Sequence, residues 1–387
     1  MTQKPRKPNQ KTKVPRLGRY EGVAQKLLGT PDKNRVFIDI SGIKPTKSEF
    51  SVIDLFAGAG GISLGFKQSG YKIQSAVEIV QVAADTHTLN FPETKVFCED
   101  IEKIETADLM HQGDPQIVIG GPPCQGFSVA GHRNPKDPRN RLFEQFVRIV
   151  RESQPDYFVM ENVPGILTMS IGKVKDAILE AFEEAGYPGV SIAVLEAAEY
   201  GAPQIRSRAI FIGNRHGLPN PFPAPILTKD NYVPIEAAIG DLIFKDRNPD
   251  INHEWTKHSK EFEKRISKVQ PGGSLYDTFA DAYKRQYQGV PSMTIKENHG
   301  GTHIHPTLNR CISAREMARL QTFPDDFYFT GGMKKAMWQI GNAVPPILAN
   351  SIAKALTPFL EAIESKKTPK YKRVILDGEN VQEELDF

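Results

Sequence analysis

From Phe50 onward, short apolar runs alternate with amphipathic stretches: SVIDLF, GISLGFKQSG, IQSAVEI, VAADTHTLNF, QIVIGG, LFEQFVRIVRES and DYFVMENV. Strands rich in Val and Ile without period-two alternation belong to a parallel sheet covered on both faces. The pattern therefore predicts an α/β fold with a doubly wound, mostly parallel sheet, whose ligands sit at the carboxyl ends of the strands. VKDAILEAFEEAGY continues as an amphipathic helix, VSIAVLEAAEYG as a strand and turn, and AIFIG as a short strand. After Gly213 the texture changes: GLPNPFPAPILTKDNYVP holds five prolines and no helical period. Residues 214–309 read as a smaller inserted domain that carries six of the nine histidines. Regular structure resumes in SAREMARLQTFP, and WQIGNAVPPILANSIAKALTPFLEAI predicts one long apolar helix packed back on the sheet. The expected division is a basic, partly disordered arm over 1–48, a large domain over 49–213 resumed at 310–364, the insertion over 214–309, and a polar tail over 365–387.

Composition narrows the class. The chain has 387 residues, 39% hydrophobic and 25% charged, as in an ordinary soluble globule with a full core. No apolar run approaches the roughly 20 residues that span a bilayer, and MTQKPRKPNQ lacks a signal-like stretch, which predicts a cytoplasmic or nucleoid protein without membrane contact. Three scattered cysteines (Cys98, Cys124 and Cys311) exclude a disulfide framework or a thiolate metal cluster. The net charge of +3 hides an asymmetry, because residues 1–48 hold twelve Lys or Arg against three acids. Such an arm is either a solvated tail or a source of sequence-independent phosphate contacts.

Two segments carry chemistry. In Gly120-Gly121-Pro122-Pro123-Cys124-Gln125-Gly126-Phe127-Ser128, a predicted strand delivers a lone cysteine to a sheet edge behind two prolines of fixed direction. A free thiol with a pKa near ~8.5 is mostly protonated at pH 7, so a nucleophilic Cys124 needs a cation, a helix start or a coupled proton acceptor. Asp54-Leu55-Phe56-Ala57-Gly58-Ala59-Gly60-Gly61 follows a strand and opens a helix, a glycine turn suited to a nucleotide-like cofactor. Glu78 ends the next strand, where it can accept ribose hydroxyls, and Asp100 ends the third, where it can accept an adenine amine. A ring of acids repels a pyrophosphate but favours the sulfonium and ammonium of S-adenosylmethionine.

Read in order, DLFAGAGG, VEI, CEDI, GGPPCQGFS, ENVPG, QIRSR, SAREMARLQTFPDDF and GNAVPP resemble the ordered blocks of the C5-cytosine DNA methyltransferases, over roughly residues 50 to 360. The insertion falls where that family keeps its target-recognition domain. The resemblance implies a sequence-specific enzyme of the prokaryotic modification type, acting as a monomer on double-stranded DNA alongside a cognate restriction endonuclease. Cys124 would add to carbon 6 of a flipped cytosine. Glu161 would hold its amine and ring nitrogen, and Arg208 its carbonyl, with Arg206 as a supporting or anion-binding partner. For the cofactor, Phe56 would stack on adenine, Glu78 would hold the ribose, Asp100 and Ile101 the adenine edge, and Asn342 with Val344 the methionine end. Ala57, Gly58, Gly60, Gly61 and Pro122 would complete the pocket, together with Ile79, which stands where the family often has tryptophan.

Extrusion of a base costs a few kcal/mol, so part of the site must close over it. The Gly- and Pro-punctuated stretch 129–140 has the character of a closing loop, although Ala130 and Asn140 depart from the family's usual serine and glycine. Ser128, Arg139, Gln204, Lys284, Arg285, Lys296 and Asn298 are the candidate DNA contacts. His253-Glu254 followed by His258 has the wrong spacing for a helical zinc site and no cysteine near it in sequence, so no metal is expected. A tRNA-methylating enzyme would share the catalytic blocks but carry a Cys-Phe-Thr tripeptide, absent here. A non-catalytic DNA-binding paralogue has no reason to keep Cys124, Glu161 and Arg208 together, and a nicotinamide dehydrogenase accounts only for the glycine turn.

Overall fold

Strands of three to eight residues, buried along most of their length except at the β4 edge, form the central sheet of the computed structural model, which describes residues 21–123, 141–276, 283–297 and 303–379. The chain opens with α1 (Glu21–Leu28) and β1 (Arg35–Ile38), then alternates through β2 (Ser51–Leu55), α2 (Gly61–Gln68), β3 (Lys72–Val77), α3 (Gln81–Asn90), β4 (Lys95–Phe97), α4 (Thr106–Leu109), β5 (Ile117–Gly120), α5 (Arg141–Ser153), β6 (Tyr157–Asn162), α6 (Lys173–Glu184), β7 (Ser191–Glu196) and β8 (Ser207–Asn214). There follow β9 (Asn220–Pro223), α7 (Ile235–Ile239), α8 (Lys260–Ile266), β10 (Lys284–Arg285), β11 (His303–Ile304), α9 (Ala314–Leu320), α10 (Gly332–Asn342), α11 (Pro346–Ser365) and β12 (Arg373–Val374).

The seven-stranded sheet has the order β4-β3-β2-β5-β6-β8-β7, parallel throughout except β8, which runs antiparallel to both neighbours. Helices cover both faces, as expected of a doubly wound sheet. On one side Phe66 of α2 and Leu356 and Phe359 of α11 pack over Val52, Ile119 and Tyr157. On the other, Phe146 of α5 and Phe182 of α6 enclose Phe158, whose ring stacks on Phe182 at 3.9 Å. A third core joins Ile295 of the insertion to Ile312, Met317 and Phe323 and to Ile340 of α10.

Three features of the chain's division differ from expectation. Residues 21–48 are built in: RVFI of β1 is fully buried, and Arg35 donates to the carbonyls of Ile192, Leu28 and Thr30. The basic surplus sits mainly before residue 20, so composition averaged over 1–48 obscures a four-residue strand. β1 pairs in parallel with β9 and antiparallel with β12, so a second small sheet ties together the start, the middle and the supposed tail. Regular pairing thus continues through β9, past the boundary expected at Gly213. The predicted single C-terminal helix is two helices, because Pro345 and Pro346 cannot continue α10, and the break puts Ala343 and Val344 in an extended turn.

Candidate active site and cofactor cavity

A cavity of about 450 Å³ opens at the carboxyl ends of β2 to β6, where a doubly wound sheet places its ligands. Phe56, Ala57, Gly58 and Gly61 line it from the turn after β2, Glu78 and Ile79 from the end of β3, Asp100 and Ile101 from beyond β4, and Asn342 and Val344 from the break between α10 and α11. Phe56 has φ of 59°, rare for a non-glycine residue, and Gly58 has φ of 55°, so the turn that lines the cavity is held in a left-handed conformation. Gly58 N–H donates to Glu78 Oε2 at 2.9 Å, and Val80 N–H to Oε1 at 2.8 Å. These bonds aim the carboxylate, while burial raises its pKa. Asp100 Oδ1 accepts from Glu102 N–H at 3.1 Å.

Two expected members do not line the cavity. Gly60 is buried at the start of α2, where a Cβ would meet the Phe91 ring at 2.5 Å, so it serves the turn and the packing. Pro122 is also buried, and its carbonyl accepts from Asn162 Nδ2 at 2.9 Å. Glu99, Gly121, Pro123, Leu142, Glu161, Glu297, Trp338 and Gln339 are wall residues that the sequence reading did not assign to the cofactor. Trp338 lies one helical turn before Asn342 on α10, so i, i+4 spacing from the GNAVPP block was the available signal.

The described lining contains five acids (Glu78, Glu99, Asp100, Glu161 and Glu297) and no lysine, arginine or histidine. The Gly58 N–H is already given to Glu78, and the surrounding carboxylates would repel a pyrophosphate. These carboxylate acceptors suit an adenosyl group attached to cationic centres.

Two of the expected catalytic residues, Glu161 and Arg208, meet at one corner of this cavity, Glu161 on its wall. β5 and β6 pair in parallel with Gly120 opposite Met160, which sets Gly121 beside Glu161. A Cβ on Gly121 would lie 2.8 Å from Glu161 Oε2, so only glycine lets the carboxylate rest against this segment. Because β8 is antiparallel, its first residues reach the same edge, and Arg208 Nε lies 2.5 Å from Glu161 Oε1. Glu196, at the end of β7, accepts from Arg206 N–H at 2.5 Å and from Ser207 Oγ at 2.7 Å, fixing the strand start that carries Arg208. Pro123 is exposed on the cavity wall. Cys124 follows it in sequence and lies outside the described residues, as do Ser128, Arg139 and Asn298.

Arg206 is not in an anion-binding position. Its guanidinium is buried and donates to the carbonyls of Ile295 at 2.6 Å and of Gly341 and Ala343 at 2.9 Å. Gln204 is equally internal, its Nε2 donating to Leu320 O and Gln321 Oε1 and its Oε1 accepting from Ile295 N–H. Arg285 spends its donors on the carbonyls of Val269, His305, Leu308 and Ile266 and on Asn309 Oδ1. None of these three offers a surface to DNA. Each is a polar clasp whose acceptors come from segments distant in sequence. Lys284 is half-buried on β10 and Lys296 is exposed.

In the insertion, His253 Nδ1 lies 2.9 Å from Ser313 Oγ, and His258 Nε2 lies 3.3 Å from Cys311 Sγ, a proximity that sequence spacing did not suggest. Burial pushes the Cys311 thiol up to about 12. Among the described residues no three His, Cys, Asp or Glu side chains are grouped to hold a metal ion, and no helix is long and apolar enough to cross a membrane.

Comparison with known proteins agrees with this architecture. The family model for C-5 cytosine-specific DNA methylases matches residues 50–357. The type II methyltransferase M1.HphI of Haemophilus parahaemolyticus is 41% identical over 322 residues, covering 79% of this chain and 86% of the relative. M.DdeI of Desulfomicrobium norvegicum is 36% identical over 375 residues, covering 81% and 90% respectively. A solved prophage-encoded E. coli protein assigned as a DNA modification methyltransferase superposes with a TM-score of 0.64 at 29% identity, over 81% of this chain and 99% of its own. Dnmt2 of Spodoptera frugiperda, at 20% identity and a TM-score of 0.58 over 79% of this chain and 99% of its own, shares the fold. The seven-stranded sheet, the acid-lined cavity and the Glu161–Arg208 corner therefore belong to a member of the C-5 cytosine-specific DNA methylase family.

Proposed function

We propose that this DNA cytosine methyltransferase uses S-adenosylmethionine to methylate carbon 5 of a cytosine flipped out of a specific duplex sequence. The observation that carries the reading is the meeting of Glu161 and Arg208 beside Gly121, three residues before Cys124, at one end of an acid-lined cavity. Phe56 would stack on the adenine, Glu78 would accept from the ribose hydroxyls, Asp100 and Ile101 would meet the adenine edge, and Asn342 and Val344 would hold the methionyl end. When bound, S-adenosylmethionine supplies an electrophilic methyl group.

Carbon 5 of cytosine is not nucleophilic, so the chain has to activate it. The Cys124 thiolate adds to carbon 6, and the ring's electrons shift toward nitrogen 3 and carbon 5. Glu161 hydrogen-bonds the exocyclic amine and stabilises a proton at nitrogen 3, while the Arg208 guanidinium holds the carbonyl oxygen as charge develops on it. Carbon 5 would then take the methyl group, leaving the cofactor as the thioether S-adenosylhomocysteine; a water or side-chain base takes the carbon 5 proton, the C5–C6 double bond re-forms and the thiolate is expelled. The Glu161–Arg208 contact keeps both groups oriented before the base arrives.

The enzyme acts in the cytoplasm as a monomer and shields its sites from a restriction endonuclease of the same specificity, a role supported by relatives named as type II methyltransferases. Bisulfite sequencing of DNA from cells expressing the chain tests the reading: protected cytosines at one recurring sequence are expected, and their absence would overturn it.

A further inference from the structure

Glu297 belongs to the inserted segment, yet it lines the cofactor cavity alongside Trp338, Gln339, Asn342 and Val344. Three bonds hold its segment there. Ile295 N–H donates to Gln204 Oε1 at 2.8 Å, Arg206 Nη1 donates to Ile295 O at 2.6 Å, and Thr294 Oγ1 donates to Ile205 O at 2.6 Å. The other arm of the Arg206 guanidinium donates to Gly341 O and Ala343 O, the carbonyls that flank Asn342. One buried cation thus fastens the insertion and the cavity wall to each other. The approach is so close that a Cβ on Gly341 would lie 2.3 Å from Glu297 N. The wall also contains Gln339, whose Oε1 has no hydrogen-bond partner, and no described lining residue offers Glu297 a cationic side chain.

We propose that Glu297 pairs with the ammonium at the methionyl end of S-adenosylmethionine, so that the inserted domain supplies part of the cofactor site. The proposal rests on the S-adenosylmethionine reading above. It gives that cavity a carboxylate whose position depends on the seating of the insertion, so cofactor affinity registers whether the recognition domain is correctly held.

Titration calorimetry on the full chain separates the two. S-adenosylmethionine and S-adenosylhomocysteine carry the ammonium, whereas 5′-methylthioadenosine lacks the whole amino-acid end. Glu297→Gln should weaken the first two by about tenfold and leave the third within about twofold, the loss of one charge-assisted contact. Equal weakening of all three, or unchanged S-adenosylmethionine binding, would overturn the assignment of Glu297. Glu78→Ala should weaken all three together. A wild-type chain that binds none of them would overturn the cofactor reading itself, and this proposal with it.

Discussion

Arg208 Nε lies 2.5 Å from Glu161 Oε1, an ion pair whose N–H does not point along the contact. Both side chains are nearly buried, at 11% and 14% exposed, so the pair sits where water screens it weakly. The misaligned donor leaves hydrogen-bonding capacity to spend on a base. Arg208→Met should reduce methyl transfer by about 100-fold or more, the cost typical of removing a preorganised charge at a reacting centre. S-adenosylmethionine affinity should change little by calorimetry, because Arg208 is absent from the cavity wall. Comparable losses in both would assign the pair a structural role instead.

Arg206 and Arg208 are two residues apart and do different work. Arg206→Met removes the donor from three carbonyls, two of them in buried contacts, so a loss of about 3 kcal/mol in urea unfolding is expected, with cofactor binding impaired. Stability equal to wild type would restore the anion-contact reading of this arginine.

Two glycines on one helix should separate stability from binding. A Cβ on Gly65 would meet Pro346 O at 2.4 Å and Ala349 Cβ at 2.5 Å, in the contact between α2 and α11. Gly65→Ala should lower stability by about 2 kcal/mol through overpacking and spare cofactor affinity. A Cβ on Gly61 would meet Val344 O at 2.4 Å, on the cavity wall. Gly61→Ala should weaken S-adenosylmethionine binding as well, and an unchanged dissociation constant would refute the wall assignment of Val344.

Beneath the glycine turn, Ser63 Oγ donates to Asp54 Oδ2 at 2.6 Å and lies 3.0 Å from His87 Nε2. Burial pushes the Asp54 carboxyl up to about 7 and pulls His87 down to about 3. The two act on stability in opposite senses. The stabilisation from protonated Asp54 is complete below pH 3.8 and lost as the pH rises through 7. That from neutral His87 is complete above pH 6.5 and lost as the pH falls toward 3. Between about pH 4 and 6.5 the slopes partly cancel. Asp54→Asn should leave the His87 slope, with Tm falling as the pH drops from 7 to 4, and His87→Gln should leave the Asp54 slope, with Tm rising. The same pH dependence in both variants and wild type, measured by scanning calorimetry, would show that neither group titrates as described.

The layout of the large domain was legible because its signals are local. Apolar runs without alternation gave the parallel sheet, and Glu78 at the end of β3 with Asp100 three residues beyond β4 gave the acidic cavity wall. The clasp of Gln204, Arg206 and Arg285 was not legible, because a buried arginine and a DNA-facing one look alike until their acceptor carbonyls are brought from elsewhere in the chain. For the same reason β1 was hidden: RVFI acquires meaning only when residues 220–223 and 373–374 come to pair with it. Glu297 was read as part of an inserted domain, and its place on the cofactor cavity follows from Gly341, whose missing side chain lets the two segments touch.

Covalent trapping reads the addition of the Cys124 thiolate to carbon 6. In DNA carrying 5-fluorocytosine, the fluorine cannot depart as the carbon 5 proton does, so a thiolate adduct at carbon 6 persists after methyl transfer. A denaturant-resistant protein–DNA complex that requires S-adenosylmethionine and is absent for Cys124→Ser is expected. A complex that survives in Cys124→Ser, or none at all on DNA whose unfluorinated form the enzyme methylates, would contradict it.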